Sequence, residues 1–418
     1  MVRYCNVLCL KCLVSMSISD YGFGKTNLLP CEETLEISRK RKKMRIAVAK
    51  ESAQNENRVA MAPHAVGFLV GLGHDVYVES GAGEKAHFAD QKYAEQGAVI
   101  EPCRSNIYSC DVIMKVLPPN EEELAMMKGH QVLFSSYDIY SQTKQYIEKL
   151  QELKITAIGF EFFKDATCEV YPIVQSFSEI SGTTSMLIAA EYLSDAHGGK
   201  GEMLGGISGI SPTDVVVLGA GTAAECAART ALGLGASVKV FDKSINRLRD
   251  LQQRLGMHIF TSVLQPMVLL KAIRSADVVV GALYENNCRR DFIVSEDAVS
   301  QMKSHSVIVD LCMTQGGCFE TSEPTSFAEP VYEKHGVIHY CVPNIPSRVS
   351  RTATYVLSNI LGQVLIELGE AGGINQLIKD NAGVRAGAYV YNGILTNELI
   401  GSRLGMQSHD INLLLAAF

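Results

Sequence analysis

The chain has 418 residues, 47% of them hydrophobic and 20% charged, with a formal net charge of −7. That length and apolar content suffice for two domains with buried cores, and the acidic balance gives no global reason to expect a nucleic-acid partner. There is no uncharged apolar run of about eighteen residues, so no membrane partner is expected. Twelve cysteines scattered through apolar segments read as reduced thiols of a cytoplasmic protein rather than a disulfide framework.

Residues 1–43 stand apart from the rest. They hold Cys5, Cys9, Cys12 and Cys31 and end on the basic run Arg39-Lys40-Arg41-Lys42-Lys43. Lys11 interrupts the apolar stretch and no small-x-small cleavage site follows, which argues against a secretory signal. A single Cys9-x-x-Cys12 pair without a second is weak evidence for zinc or redox chemistry. The expectation is a disordered extension.

From Met44 onward strand and helix alternate. Strands are expected at 45–49, 74–79, near Val99, and at 111–116, 131–135 and 155–161. Helices fall between them at 63–73, 90–97, 121–127 and 141–153, so that 155–161 completes one doubly wound sheet. Residues 179–193 read as a connecting helix, and the glycine-rich stretch 198–209 leads into a second domain.

That second domain opens with DVVVLGAGTAAECAARTALGLGASVKVFD, residues 214–242. Val215–Leu218 is a buried strand, Gly219-Ala220-Gly221 a turn, Thr222–Leu234 a helix stopped by Gly235, and Ser237–Phe241 a second strand. This is the dinucleotide fingerprint in its G-x-G-x-x-A form. Gly219 permits the turn, Gly221 lets a pyrophosphate approach the backbone, and Ala224 lets the helix pack close. The diphosphate is expected at Thr222, on the helix N-terminus. Asp242 stands 21 residues past Gly221, where a carboxylate bonds the ribose 2′-OH of NAD and repels the phosphate of NADP. Further strands are expected at 258–263, 277–282, 306–311 and 337–342, with helices at 244–255 and 266–273. A long helix, 351–370, returns the chain to the first domain.

The fold class is therefore α/β, with two doubly wound (Rossmann-like) domains around a cleft, joined by long helices. Residues 44–180, completed by 345–418, form a substrate domain, and 181–344 form the NAD-binding domain. No group of His, Cys, Asp and Glu has metal-ligand spacing, so no metal is expected.

Several segments together carry a family resemblance: MRIAVAKESAQNENRVAMAP (44–63), DVIMKV (111–116), SEISG (178–182), the glycine fingerprint, QGGCFETS (315–322) and YCVPNIPSRVSRTATYVLSN (340–359). They resemble the alanine dehydrogenase family, which shares its fold with the NAD-binding alpha subunit of nicotinamide nucleotide transhydrogenase and is related to lysine-forming saccharopine dehydrogenases. The resemblance spans residues 44–418. It implies NAD-dependent oxidative deamination of a small L-amino acid, chiefly L-alanine to pyruvate and ammonium, by a homo-oligomer.

The resemblance also implies roles for particular residues. Arg58, in ENRVA, would grip the substrate carboxylate with its fork. Lys115 would project from its strand end into the cleft, polarise the keto oxygen and stabilise a carbinolamine. Ser178 would contact the cofactor phosphates, its alternative being a helix cap. Asn344 would lie beside the nicotinamide and substrate. Two positions depart from the family pattern. Asp138 stands where a histidine usually serves as acid and base, and Thr314 where an aspartate usually precedes QGGCFE. Asp138 can shuttle protons only with a pKa raised toward neutrality. His339, His64 and Cys318 are read as a structural histidine, an exposed one and a packed thiol. Two alternatives remain open: a catalytically lapsed NAD(H)-binding relative, and the NAD-binding component of a transhydrogenase.

Overall fold

The computed structural model describes residues 43–137, 141–165, 170–283 and 292–417. The extension expected before residue 43, with its CxxC pair, lies outside them.

The first sheet is built from β1 (Arg45–Val48), β2 (Asp75–Glu79), β3 (Val99–Glu101), β4 (Val112–Met114), β5 (Val132–Ser135) and β6 (Thr156–Gly159). The central strands RIAV, VIM, VLFS and TAIG are almost wholly buried, as parallel strands covered by helices on both faces must be. The second sheet contains β7 (Asp214–Leu218), β8 (Ser237–Asp242), β9 (Phe260–Val263), β10 (Val278–Gly281), β11 (Val307–Asp310), β12 (Val331–Lys334) and β13 (Val337–Tyr340). The chain then adds β14 (Ala388–Tyr391) and β15 (Ile394–Leu395) to the first sheet.

The strand orders explain where function can sit. The first sheet runs β3-β2-β1-β4-β5-β6-β14-β15, and the second β9-β8-β7-β10-β11-β13-β12. Both contain the doubly wound arrangement in which the first strand has the fourth on one side and the second on the other. The chain leaves β1 and β4, and likewise β7 and β10, in opposite directions. Such a switch point opens a crevice at the carboxyl ends of the strands, where ligands of this fold class bind.

Three expectations are corrected. Residues 155–161 do not complete the first sheet, because β14 pairs antiparallel with β6. The AYVYNGIL run carries its own hairpin signal: Asn392 (φ 46°) and Gly393 (φ 78°) are both left-handed, as a two-residue type I′ turn requires. In the same way β12 was not foreseen as the antiparallel partner of β13. The connecting helix starts at Pro172, not Glu179, and runs to Leu193. A proline suits a first helical position because its missing N–H has no intrahelical partner there.

Helix Ser350–Glu370 returns to the first sheet. Its Leu357, Leu361, Val364, Leu365 and Leu368 join Ala65, Val66 and Leu69 of helix Pro63–Gly71 in one buried core. Among the described residues, no helix is long and apolar enough to cross a membrane.

Candidate active site

Glu51 follows the end of β1, and Lys115 follows the end of β4 directly, so both stand at the first switch point. Lys115 Nζ lies 2.9 Å from Glu51 Oε2 and 3.4 Å from Glu123 Oε2, and all three side chains are buried. Glu51 also accepts hydrogen bonds from the backbone N–H of Val116 (2.6 Å) and Leu117 (3.3 Å). Burial pushes its carboxyl above the ordinary glutamate value, with the Lys115 ammonium opposing that rise. Glu123 is fixed by a capping box with Asn120 and by Arg104 Nη2 at 2.8 Å. The sequence suggested an ammonium projecting from a strand end. Instead it is enclosed by carboxylates, the arrangement that offsets the cost of burying a charge.

Arg58 lies in the loop between β1 and helix Pro63–Gly71. Its Nε donates to Glu56 Oε1 at 2.8 Å and its Nη2 to Oε2 at 2.6 Å. The guanidinium sits 4.9 Å above the ring of Phe177. Glu56 is fully buried and accepts further bonds from Arg58 N (2.9 Å), Asn344 Nδ2 (2.9 Å) and Ser347 Oγ (3.3 Å). Burial alone would raise its carboxyl. The Arg58 guanidinium outweighs that and holds it below the usual glutamate range.

The loop backbone is held by hydroxyls from one face of the C-terminal region. Asn57 N donates to Ser347 Oγ (2.7 Å), Val59 N to Thr354 Oγ1 (3.2 Å) and Ala62 N to Ser358 Oγ (2.7 Å). These contacts tie the ENRVA and SRVSRTATYVLSN motifs together physically. Glu56 also acts electrostatically on Glu51. Arg58, Asn344 and Lys115 thus share one network, through two carboxylates that the sequence reading missed. Glu56 stands two positions from Arg58 and was visible. Glu51 is 64 residues from Lys115, and only the β1–β4 pairing brings them together.

At the second switch point, Gly219 adopts φ 111°, and a side chain there would collide with the Ala282 carbonyl oxygen after β10. Gly221 caps helix Thr222–Gly233, and space is open around the position of a Cβ. Thr222 begins the helix and Ala224 is fully buried beneath it. Open space above a helix N-terminus with unbonded N–H groups suits a diphosphate.

Asp242 ends β8 as expected, but its carboxylate is largely engaged with the turn. Oδ2 accepts from Ala220 N (2.8 Å) and Oδ1 from Ser244 N (2.7 Å), and the residue is 2% exposed. Ser178 lies in the second turn of its helix and donates to Val174 O at 2.8 Å, which removes the alternative of a helix cap. It neighbours Phe177, the ring beneath Arg58.

Asp138 lies outside the described residues. Thr314 is exposed on the short turn Met313–Gln315. Asp310, at the end of β11, organises the QGGCFE loop by accepting from Cys312 N (2.9 Å), Cys318 N (2.7 Å) and Ser322 Oγ (2.7 Å). Cys318 is buried, and pairing with Cys312 and burial push its thiol well above the usual value, as for a packed thiol. Among the described residues, Asp310, Cys312 and Cys318 place donor atoms within 4.8 Å of one another, but the carboxylate is already spent on the loop. His339 is structural, between Thr321 Oγ1 (2.8 Å) and Val337 O (2.9 Å), and burial lowers its pKa to about 4. His64 is exposed at its helix start.

Two doubly wound sheets, a dinucleotide turn on one and a buried arginine–lysine network on the other, define a two-domain Rossmann-type protein of the dehydrogenase kind. Comparison narrows this further. Family models described as "Alanine dehydrogenase/PNT, N-terminal domain" and "C-terminal domain" match residues 47–181 and 185–398. The alanine dehydrogenase of Halomonas elongata is 37% identical over 87% of this chain and 98% of its own. That of Bacillus subtilis is 35% identical over 87% and 96%. A solved L-alanine dehydrogenase superposes with a TM-score of 0.80 at 34% identity, covering 86% of this chain and 98% of that one. A transhydrogenase from Sinorhizobium meliloti, 24% identical with a TM-score of 0.72, shares the fold. The chain belongs to the alanine dehydrogenase/PNT family.

Proposed function

We propose that this protein is an NAD-dependent alanine dehydrogenase, catalysing the reversible oxidative deamination of L-alanine to pyruvate and ammonium. The observation that carries this reading is the Glu56 junction. It joins Arg58 of the first Rossmann-like unit to Asn344, beyond β13 of the second, in a chain resembling alanine dehydrogenases over nearly their whole length. The first sheet, with its C-terminal additions, serves as the substrate domain and the second as the NAD domain.

Gly219, Gly221, Thr222, Ala224 and Asp242 would hold NAD, with Ser178 near its phosphates, and bound nicotinamide supplies the hydride acceptor. Arg58 holds the substrate carboxylate. Lys115 polarises the keto oxygen and stabilises charge at the carbinolamine, inside a site whose burial strengthens every such interaction. Asn344 fixes the reacting carbon from the cofactor side. Asp138 carries the proton from the ammonium group and the attacking water. The protein acts as a homo-oligomer in the cytoplasm. Light scattering tests the assembly.

The decisive experiment follows NADH absorbance with purified protein and L-alanine, and in reverse with pyruvate and ammonium. Lys115→Ala should abolish turnover. Loss with Asp138→Ala would identify the aspartate as the proton carrier, while retention would move that role elsewhere. One observation favours a second reading, an NAD(H)-binding relative with lapsed chemistry. Both cations are already paired with the chain's own carboxylates, and Thr314 carries no ionisable group. NADH binding without turnover of any small L-amino acid would establish it.

A further inference from the structure

Arg58 has two edges on which a carboxylate can dock: the side edge formed by Nε and Nη2, and the end edge formed by Nη1 and the second N–H of Nη2. In this structure the side edge is fully taken by Glu56, through bonds of 2.8 and 2.6 Å. One face of the guanidinium is covered by Phe177. The end edge is what the side chain retains for a ligand.

The carboxylate that imposes this choice has little freedom of its own. Oε1 accepts from Arg58 N, Arg58 Nε and Ser347 Oγ, and Oε2 accepts from Arg58 Nη2 and Asn344 Nδ2. Ser347 in turn receives the backbone N–H of Asn57. The acid is therefore fixed by the first unit and by the segment after β13, through Asn344 and the short helix Ile345–Arg348 that carries Ser347.

We propose that Glu56 is a positioning residue for the reaction. It selects the end edge of Arg58 for the substrate carboxylate and, through Asn344, sets that edge in register with the nicotinamide side of the site. This rests on the alanine dehydrogenase reading and adds a named determinant to it. In this role Glu56 acts through Arg58 and Asn344 rather than on the substrate itself. It works by removing one of two docking modes and by holding two groups from different sheets to a single carboxylate.

The consequence is specific. With Glu56→Gln, the amide N–H group must face either Arg58 Nη2 or Arg58 Nε, donor against donor. The guanidinium is then free to turn, both edges become available, and the carboxylate of the substrate loses its fixed seat. Glu56→Asp keeps the charge but shortens the reach, so it should give an intermediate effect, and it carries the test should Glu56→Gln fail to fold.

The test measures KM for L-alanine and pyruvate, kcat, and NADH affinity by fluorescence, for wild type, Glu56→Gln and Glu56→Asp. Glu56→Gln should raise both substrate KM values at least about tenfold. NADH affinity should stay within about twofold, because the glycine turn is untouched. Glu56→Asp should fall between wild type and Gln. Unchanged substrate KM values in either folded variant, or equal losses of NADH and pyruvate affinity, would overturn the proposal while leaving the dehydrogenase reading in place. A wild-type protein unable to aminate pyruvate with NADH would overturn that reading and this one with it.

Discussion

Lys115 Nζ and Glu51 Oε2 meet at 2.9 Å with both side chains at most 3% exposed. This ion pair joins the carboxyl ends of two adjacent parallel strands at the point where their connections diverge. Each charge is costly to bury alone and tolerable only with its partner. Lys115→Met should therefore cost about 3–5 kcal/mol of stability in urea unfolding, as well as all turnover, because it leaves Glu51 buried without its cation. Adding Glu51→Gln removes the stranded charge, so the double variant should be more stable than the sum of the two single losses by about 1–3 kcal/mol. Strict additivity would show that the pair is not coupled.

The two glycines of the fingerprint should fail differently. Gly219 is left-handed at φ 111° and faces the Ala282 carbonyl oxygen. Gly219→Ala should strain the backbone by about 1–3 kcal/mol and displace the turn after β10. Gly221 has no atom near a would-be Cβ, so Gly221→Ala should cost no more than about 1 kcal/mol of unfolding free energy, the loss of a favoured N-cap residue. Its methyl group would occupy the space a diphosphate needs, and NADH affinity should fall sharply. Thermal unfolding beside an NADH fluorescence titration separates the two. A Gly221→Ala protein that binds NADH normally would remove the phosphate from this turn.

Asp242 has a second job that changes what its mutation should do. Its two oxygens receive the N–H groups of Ala220 and Ser244, so it holds the glycine turn in addition to the ribose contact proposed for it. An asparagine can accept with only one atom, leaving one buried N–H without a partner, at a cost of about 1–3 kcal/mol. Asp242→Asn should weaken NADH binding about tenfold without creating affinity for NADPH. A clean exchange of preference toward NADPH would mean that the carboxylate acts on the ribose alone.

Much of this arrangement was legible in the chain. The βαβ unit was readable because its signal is local: apolar strand, G-x-G turn, small residue and acid all fall within residues 214–242. Arg58 and Asn344 were readable only through family motifs, since an isolated arginine or a Pro-Asn-Ile-Pro turn has ordinary surface explanations. The binding partners of the two cations were less accessible. Glu51 reaches Lys115 because β1 and β4 are neighbours, a fact of topology that no spacing encodes. The β14–β15 hairpin had a local Asn392-Gly393 signal but lay past a long helix, so its attachment to β6 rested on tertiary pairing.

His339 provides a test of the proton chemistry by exclusion. Buried between Thr321 and Val337, it is held neutral, with a pKa lowered from 6.5 to about 4. Between those values the unfolded chain binds more protons than the folded one, so stability rises with pH across the window. The contribution is fully present above about pH 6.5 and is lost as pH falls toward 4, a difference of about 3 kcal/mol. Glutamine keeps a polar group near the Nε2 position, facing Thr321, without a titrating ring. His339→Gln should therefore flatten the fall in unfolding free energy between pH 7 and pH 4.5, while kcat at neutral pH stays within about twofold of wild type. A collapse of kcat in a variant that remains folded would make His339 the missing acid–base group. Retained kcat with a flattened stability profile leaves the proton to the segment around Asp138.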